Sequence, residues 1–149
     1  MRPARASDVG ELSALALRSK AYWGYDEEFL SACREELTLH EDDLATRPTF
    51  VLERAGRAIG FYTLESVTES QVELWFLFVE PDAIGQGHGR RLLEHAKAEA
   101  IARGFSTMII QADPNAIEFY QHLGGRLVGS QPSGSIPGRM LPLLEIPLD

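Results

Sequence analysis

Three glycines at alternate positions, Gly85, Gly87 and Gly89, stand between two segments of opposite periodicity. Upstream, Gln71 to Val79 repeats with period two, as a strand does. Downstream, Leu92, Leu93, Ala96, Ala100 and Ile101 fall on one inward helical face, which Gly104 closes as a C-cap. Strand, glycine loop, helix is an order with a physical use, because glycines let the backbone approach a ligand while unpaired amides and the helix dipole face an anion. A tight strand-to-helix turn needs glycine in any case, so the loop decides nothing by itself. Its context excludes two familiar readings. A P-loop requires Lys-Ser/Thr after the last glycine, where this chain has Arg90-Arg91-Leu92. A dinucleotide fold places its glycine loop after the first strand, with an acidic residue ending the next; here the loop follows a third strand and Gln111-Ala112 ends the next.

The flanking pattern fixes the rest of the order. One helix is expected from Asp8, as cap with Glu11 three residues on, to about Arg18, with Val9, Leu12, Leu15 and Ala16 on one face. A second follows Asp26, with Phe29, Leu30, Cys33 and Leu37 at helical spacing. Thr49 to Arg54, a turn at Ala55-Gly56, Ala58 to Glu65, and Gln71 to Val79 read as an antiparallel meander. Phe105 to Ala112 reads as a strand covered on both faces, and a short helix runs from Asp113-Pro114-Asn115 to Tyr120, stopped by Gly124-Gly125. Arg126 to Ser130 and Met140 to Ile146 are the last two strands. No repeat or linker divides the order ααβββαβαββ, so 1–149 is expected to be a single α+β domain with a mixed, mostly antiparallel sheet flanked by helices.

Charge narrows the partners. Fourteen basic against twenty-two acidic side chains give a net charge of -8, which repels a polyphosphate and argues against nucleic acid. Residues 21–50 hold eight of the acids, whereas 84–91 hold Arg90 and Arg91 and no acid, so an anionic ligand belongs at the glycine loop. No apolar run approaches the ~18–20 residues that span a bilayer, and the N-terminus has no signal-type apolar core. A cytoplasmic protein without a membrane partner is expected. The single cysteine, Cys33, and four scattered histidines leave no zinc pattern, so no metal is expected; Cys33 reads as a small buried hydrophobe rather than an acyl carrier.

Val79-Glu80-Pro81, then Ile84 through Leu93, then Asp113-Pro114-Asn115-Ala116-Ile117-Glu118-Phe119-Tyr120 and Leu123-Gly124-Gly125, resemble the GNAT N-acetyltransferase superfamily over the whole chain. The first stretch is similar to the family's coenzyme A pyrophosphate loop, Arg/Gln-x-x-Gly-x-Gly/Ala, and the second to its Asn-x-x-x-x-Tyr helix. Two positions depart from the pattern: Ile84 replaces the usual Arg or Gln, and Gly125 stands where Phe is frequent. The resemblance implies acetyl-CoA as donor, a small-molecule amine as acceptor, and direct transfer in a ternary complex. A protein or peptide amine, or a non-catalytic acyl-CoA-binding module, are the alternatives, and a homodimer is left open.

It also implies a site. Leu77, Phe78 and Val79 would line the pantetheine arm, with Leu77 N–H on the acetyl carbonyl. Gly85, Gln86, Gly87, His88, Gly89 and Arg90 would hold the pyrophosphate, and Asn115 the pantetheine. Tyr120 occupies the family's thiol-protonating position, or else packs its helix on the sheet. Glu73, odd within Val72-Glu73-Leu74-Trp75-Phe76-Leu77-Phe78, is the candidate base; an exposed edge position or a water relay are the rivals. His88 either touches phosphate or sits in a solvated turn. Trp23, Tyr25 and Asp26 are expected to form the acceptor wall, with aromatic faces and a carboxylate for an amphipathic cation. The turn through Ser135–Met140 would present Arg139, a charge that suits an amine acceptor only if the acceptor also carries an anion.

Overall fold

The fold, a computed structural model describing residues 1–148, is one seven-stranded sheet with helices on both faces. The strands are β1 (Arg2–Pro3), β2 (Thr49–Arg54), β3 (Arg57–Ser66), β4 (Gln71–Val79), β5 (Thr107–Gln111), β6 (Arg126–Pro132) and β7 (Met140–Pro147). They lie in the order β1-β2-β3-β4-β5-β7-β6, and only the β4–β5 pair is parallel. The helices are α1 (Val9–Ala21), α2 (Glu27–Cys33), α3 (Asp43–Thr46), α4 (His88–Ala102) and α5 (Ile117–His122). Among the described residues no helix is long and apolar enough to cross a membrane.

The meander follows from alternation and turn chemistry. Ala55 and Gly56 join β2 to β3 as a two-residue loop with φ of 52° and 77°, the doubly left-handed geometry that matches strand twist. Alternation then gives the sheet two apolar faces. Leu52, Tyr62, Leu64, Val72, Leu74, Met108 and Ile110 meet Leu92, Leu93 and Ala96 of α4. Val51, Phe61 and Phe76 meet Leu12, Leu15 and Ala16 of α1 and Cys33 of α2. Each fully buried leucine contributes about 1.5–3 kcal/mol, so the helices are held chiefly by these stripes.

Two irregularities in β4 shape the site. Opposite β3, Thr63 pairs with Phe76 and Leu64 with Leu74, so Trp75 is an extra residue, a β-bulge. Trp75 and Phe76 therefore fall on the same face, their rings stacked with centroids 4.3 Å apart. On its other edge β4 pairs with β5 only from Gln71–Glu73 to Thr107–Ile109, and beyond that the parallel strands part.

Local expectations are corrected in four places. The Asp8 carboxylate makes no capping bond to α1; it accepts from the Arg5 N–H (2.7 Å) and the Arg2 guanidinium (2.8 Å). Ile101, expected inward, is 43% exposed, because it lies about 100° round the helix from the fully buried Ala100 and so past the edge of the α4 stripe. α2 stops at Cys33, and Leu37 reaches the core from a following turn. β5 begins at Thr107 rather than Phe105, because the Phe105 N–H is used to cap α4 on Ala100 O (3.0 Å).

Candidate functional site

Where β4 and β5 part, the sheet opens into a cleft of about 820 Å³, walled by both strands, the glycine loop, α5 and the segment before β7. The Glu80 N–H donates to Ile59 O on β3 (2.8 Å), and strand alternation turns the N–H groups of Leu77 and Val79 the opposite way, toward the opening. Phe78 also lines the cleft, while its side chain packs with Phe61 and Phe76 toward α1.

The opening runs into the start of α4. Gly85 and Gly87 have φ of 86° and 83°, left-handed values that other residues adopt at a cost, and a Cβ at either would meet nothing within 4 Å. Arg91 N–H closes the first turn on Gly87 O (3.2 Å), so the amides of His88, Gly89 and Arg90 precede any intrahelical bond. Gly89 is small for a different reason: a Cβ there would lie 3.2 Å from the Phe119 ring. His88 is buried in the cleft wall, and neither ring nitrogen has a protein partner among the described residues. Arg90 lines the cleft, whereas Gln86 turns away and donates to Asp82 O (3.3 Å).

Two acid–base groups share this space. Glu73 sits on the lower cleft wall in register with Glu65 on β3 and Ile109 on β5. Burial raises its carboxyl above the ordinary glutamate value, and Glu65 adds to this. Glu65 is itself held by Arg47 (2.9 Å), which lies over the Trp75 ring at 4.1 Å, and Glu73 has no ion-pair partner among the described residues. Tyr120, on α5, is 7% exposed against the α4-side core and lines the cleft. Burial, then the neighbouring Asp113 charge, push its hydroxyl well above the tyrosine range.

A polar cluster closes the opposite side. Asp113 accepts from Lys20 and from the Tyr25 hydroxyl (2.9 Å), and its other oxygen accepts from the Asn115 side chain (2.8 Å) and backbone N–H (2.9 Å). Burial works to raise the Asp113 carboxyl, yet these donors outweigh it and hold the group below its ordinary value. Arg139 donates to the Tyr25 hydroxyl (2.9 Å) and lies 3.5 Å from Asp113. Its loop is a turn closed by Arg139 N–H on Ile136 O (3.2 Å), with Pro137 and then Gly138, at φ 81°, in the two central positions.

Of the expected acceptor wall, Trp23 and Arg139 line the cleft. Tyr25 stands behind it, stacked on Phe29 at 4.1 Å, and Asp26 caps α2 by accepting from Phe29 N–H (2.8 Å). Sequence reasoning missed Lys20, Glu36 and Asp113, which also line the cleft. Asp113-Pro114-Asn115 reads as a helix start, and only the fold shows that its cap faces Lys20, ninety-three positions away.

The profile of the acetyltransferase (GNAT) family matches residues 15–125. Among curated proteins, the peptidyl-lysine N-acetyltransferase YjaB of Salmonella typhimurium is 34% identical over 70 residues, 47% of this chain and 46% of that protein. Serotonin N-acetyltransferase 2, chloroplastic, of Oryza sativa subsp. japonica is 26% identical over 123 residues, 83% of this chain and 58% of that protein. The matches span 36–61% of the curated relatives' own length. Among solved structures, the PaiA N-acetyltransferase of Thermoplasma acidophilum in complex with coenzyme A superposes with a TM-score of 0.81 at 18% identity, over 98% of this chain and 96% of that one. The mixed sheet flanked by helices is therefore the fold of these N-acetyltransferases.

Proposed function

The chain belongs to the GNAT acetyltransferase family, and on that premise we propose that it moves the acetyl group of acetyl-CoA to the amine of a small molecule, directly, with donor and acceptor bound together. The observation that carries this reading is the parting of β4 from β5 beyond Glu73 and Ile109. It leaves a strand edge with unpaired amides, which an extended amide-bearing arm can complete as a further strand would. The edge leads to the glycine loop, whose left-handed glycines and free α4 amides suit a pyrophosphate. Coenzyme A in the Thermoplasma PaiA complex supports the same donor class here.

Acetyl-CoA, when bound, supplies a thioester that an amine can attack. The Leu77 N–H hydrogen-bonds the carbonyl oxygen as it gains negative charge. Glu73 takes the amine proton, directly or through one water, and its raised carboxyl pKa makes it a better base than an exposed glutamate. As the C–N bond forms and the C–S bond breaks, the Tyr120 hydroxyl offers its proton to sulfur. Burial keeps that hydroxyl protonated at neutral pH, so it stands ready as a hydrogen-bond donor to the sulfur as negative charge develops there; any proton it gives up is replaced by the one Glu73 took from the amine, passed through water. Val79, Gly85, Gly87, Gly89, Arg90 and Asn115 bind and orient the coenzyme, and Trp23 faces the acceptor.

The test is release of free thiol from acetyl-CoA with a panel of amines, amino acids, polyamines, aminoglycosides and a lysine peptide. Amine-dependent thiol release with a small molecule is expected. Tight acetyl-CoA binding with no release by any amine would instead make the protein a binding module. The peptide arm addresses a second reading, a protein amine, favoured by the likeness to a peptidyl-lysine N-acetyltransferase.

A further inference from the structure

The polar cluster on one side of the cleft holds two cations for one anion. Lys20 and Arg139, with side chains 13% and 18% exposed, share a single carboxylate, Asp113, at 12%. The remaining members, the Tyr25 hydroxyl and the Asn115 amide, are neutral. Of the other acids, Asp26 caps α2 and Glu80 is bound by Arg18 (2.7 Å) with Arg57 at 3.9 Å, while Glu36 and Glu73 line the same cleft without forming an ion pair with Lys20 or Arg139. A part-buried cluster thus carries one net positive charge inside a chain whose total is -8. A poorly solvated excess charge is costly unless an anion meets it.

The geometry of Arg139 says where that anion goes. Its Nη2 is spent on Tyr25, its Nε and Nη1 are not fully buried and have no protein acceptor among the described residues, and the residue lines the cleft. The guanidinium is held over the Phe29 ring at 4.8 Å and the Tyr25 ring at 5.3 Å, so its orientation is fixed before any ligand arrives. Both forks of a guanidinium include Nη2, so with Nη2 on Tyr25 the free Nε and Nη1 each offer a separate charge-assisted bond to a carboxylate oxygen. The amine-receiving carboxylate Glu73, without an ion pair, lines the same cleft.

We propose that Arg139, with Lys20 beside it, receives the carboxylate of the acceptor, so that the preferred acceptor is an amino acid rather than a simple amine or polyamine. The proposal rests on the acetyl-transfer reading and adds the substrate class to it. The coenzyme's phosphates are the other source of an anion, and the experiment separates the two.

Matched triplets are compared on the unaltered protein: an amino acid, its primary amide and its decarboxylated amine, for example phenylalanine, phenylalaninamide and phenethylamine. The amino acid is expected to show kcat/KM about 10- to 100-fold above the other two, the range of a charge-assisted hydrogen bond. In Arg139→Gln that ratio should fall to within about threefold of unity, and Arg139→Lys should restore only part of it. Calorimetric binding of the same triplets to the coenzyme A-loaded protein reads the carboxylate preference without turnover. Equal affinity across a triplet, or an Arg139→Gln variant with an unchanged ratio, overturns the proposal while leaving acetyl transfer intact. Should Arg139→Gln weaken acetyl-CoA but not acetyl-pantetheine, the anion is a coenzyme phosphate and the proposal fails. A carboxylate preference in binding with no thiol release from any amine keeps the anion site and overturns acetyl transfer instead.

Discussion

Tyr120 and Glu73 differ in what their removal should do. Tyr120→Phe keeps a ring that packs in the α4-side core and deletes only the hydroxyl, so melting should change little. It should lower kcat by ~10- to 10⁴-fold with acetyl-CoA affinity nearly unchanged, read by thiol release and calorimetry. Full activity would remove the tyrosine from the chemistry. Glu73→Gln should abolish the rise of rate with pH that its deprotonation controls; an unaltered profile would hand the role to water. Its stability effect has a definite sign. The folded-state pKa lies above the ordinary value of 4.5, so below that value both states hold the proton and no penalty exists. As pH climbs through the raised pKa, the charged form costs stability. Glu73→Gln should thus gain in relative melting temperature from pH 4 to pH 7. That Glu73 and Tyr120 line the cleft was expected, Glu73 because a carboxylate in an apolar strand is conspicuous and Tyr120 because it sits in the motif that carries the family resemblance. Lys20 was not: a lysine in the last turn of a helix looks like any solvated charge, and its partner is distant in sequence.

At the scale of the element, the glycine loop makes a prediction that separates strain from ligand contact. Gly87→Val forces a β-branched residue to φ near 83° and fills the backbone's approach to the ligand. It should cost about 1–3 kcal/mol of stability and weaken acetyl-CoA binding strongly. Gly56→Val places the same strain, at φ 77°, in the β2–β3 turn, so it should destabilise comparably with no effect on binding. Equal affinity losses in both variants would mean that Gly87 acts only through the fold. The elements of the meander, the loop and α4 were readable because each has a long periodic pattern with turn residues at its ends. β1 and α3, two and four residues long, carry no period to detect. The parting of β4 from β5 has no local signature, because alternation says which face a residue takes and not whether two strands stay together.

On the scale of the whole molecule, Asp113 ties together three stretches of chain that are far apart in sequence: the end of α1 and the turn after it, through Lys20 and Tyr25; the entry to α5, through Asn115; and the turn before β7, through Arg139. Apart from Lys20, which α1 holds, these residues lie outside regular α-helix and strand, so the carboxylate ties the turn after α1, the entry to α5 and the turn before β7 to the end of α1. Asp113→Asn keeps the size and one acceptor but leaves Lys20 and Arg139 without a counter-charge. The loss should be about 1–3 kcal/mol at pH 7, the cost of unpairing groups that are mostly but not wholly out of water. The pH dependence identifies the cause. Because the folded-state pKa of Asp113 is depressed below its ordinary value of 3.8, its contribution is complete above that value and is lost as pH falls through the lower folded-state pKa. The gap in melting temperature between the unaltered protein and Asp113→Asn should therefore be widest near neutrality and close on acidification below pH 4. A carboxylate-bearing acceptor adds a second anion to the same two cations, so it should raise the melting temperature of Asp113→Asn by more than that of the unaltered protein. Equal shifts in the two proteins would show that Asp113 and the acceptor do not face the same charges.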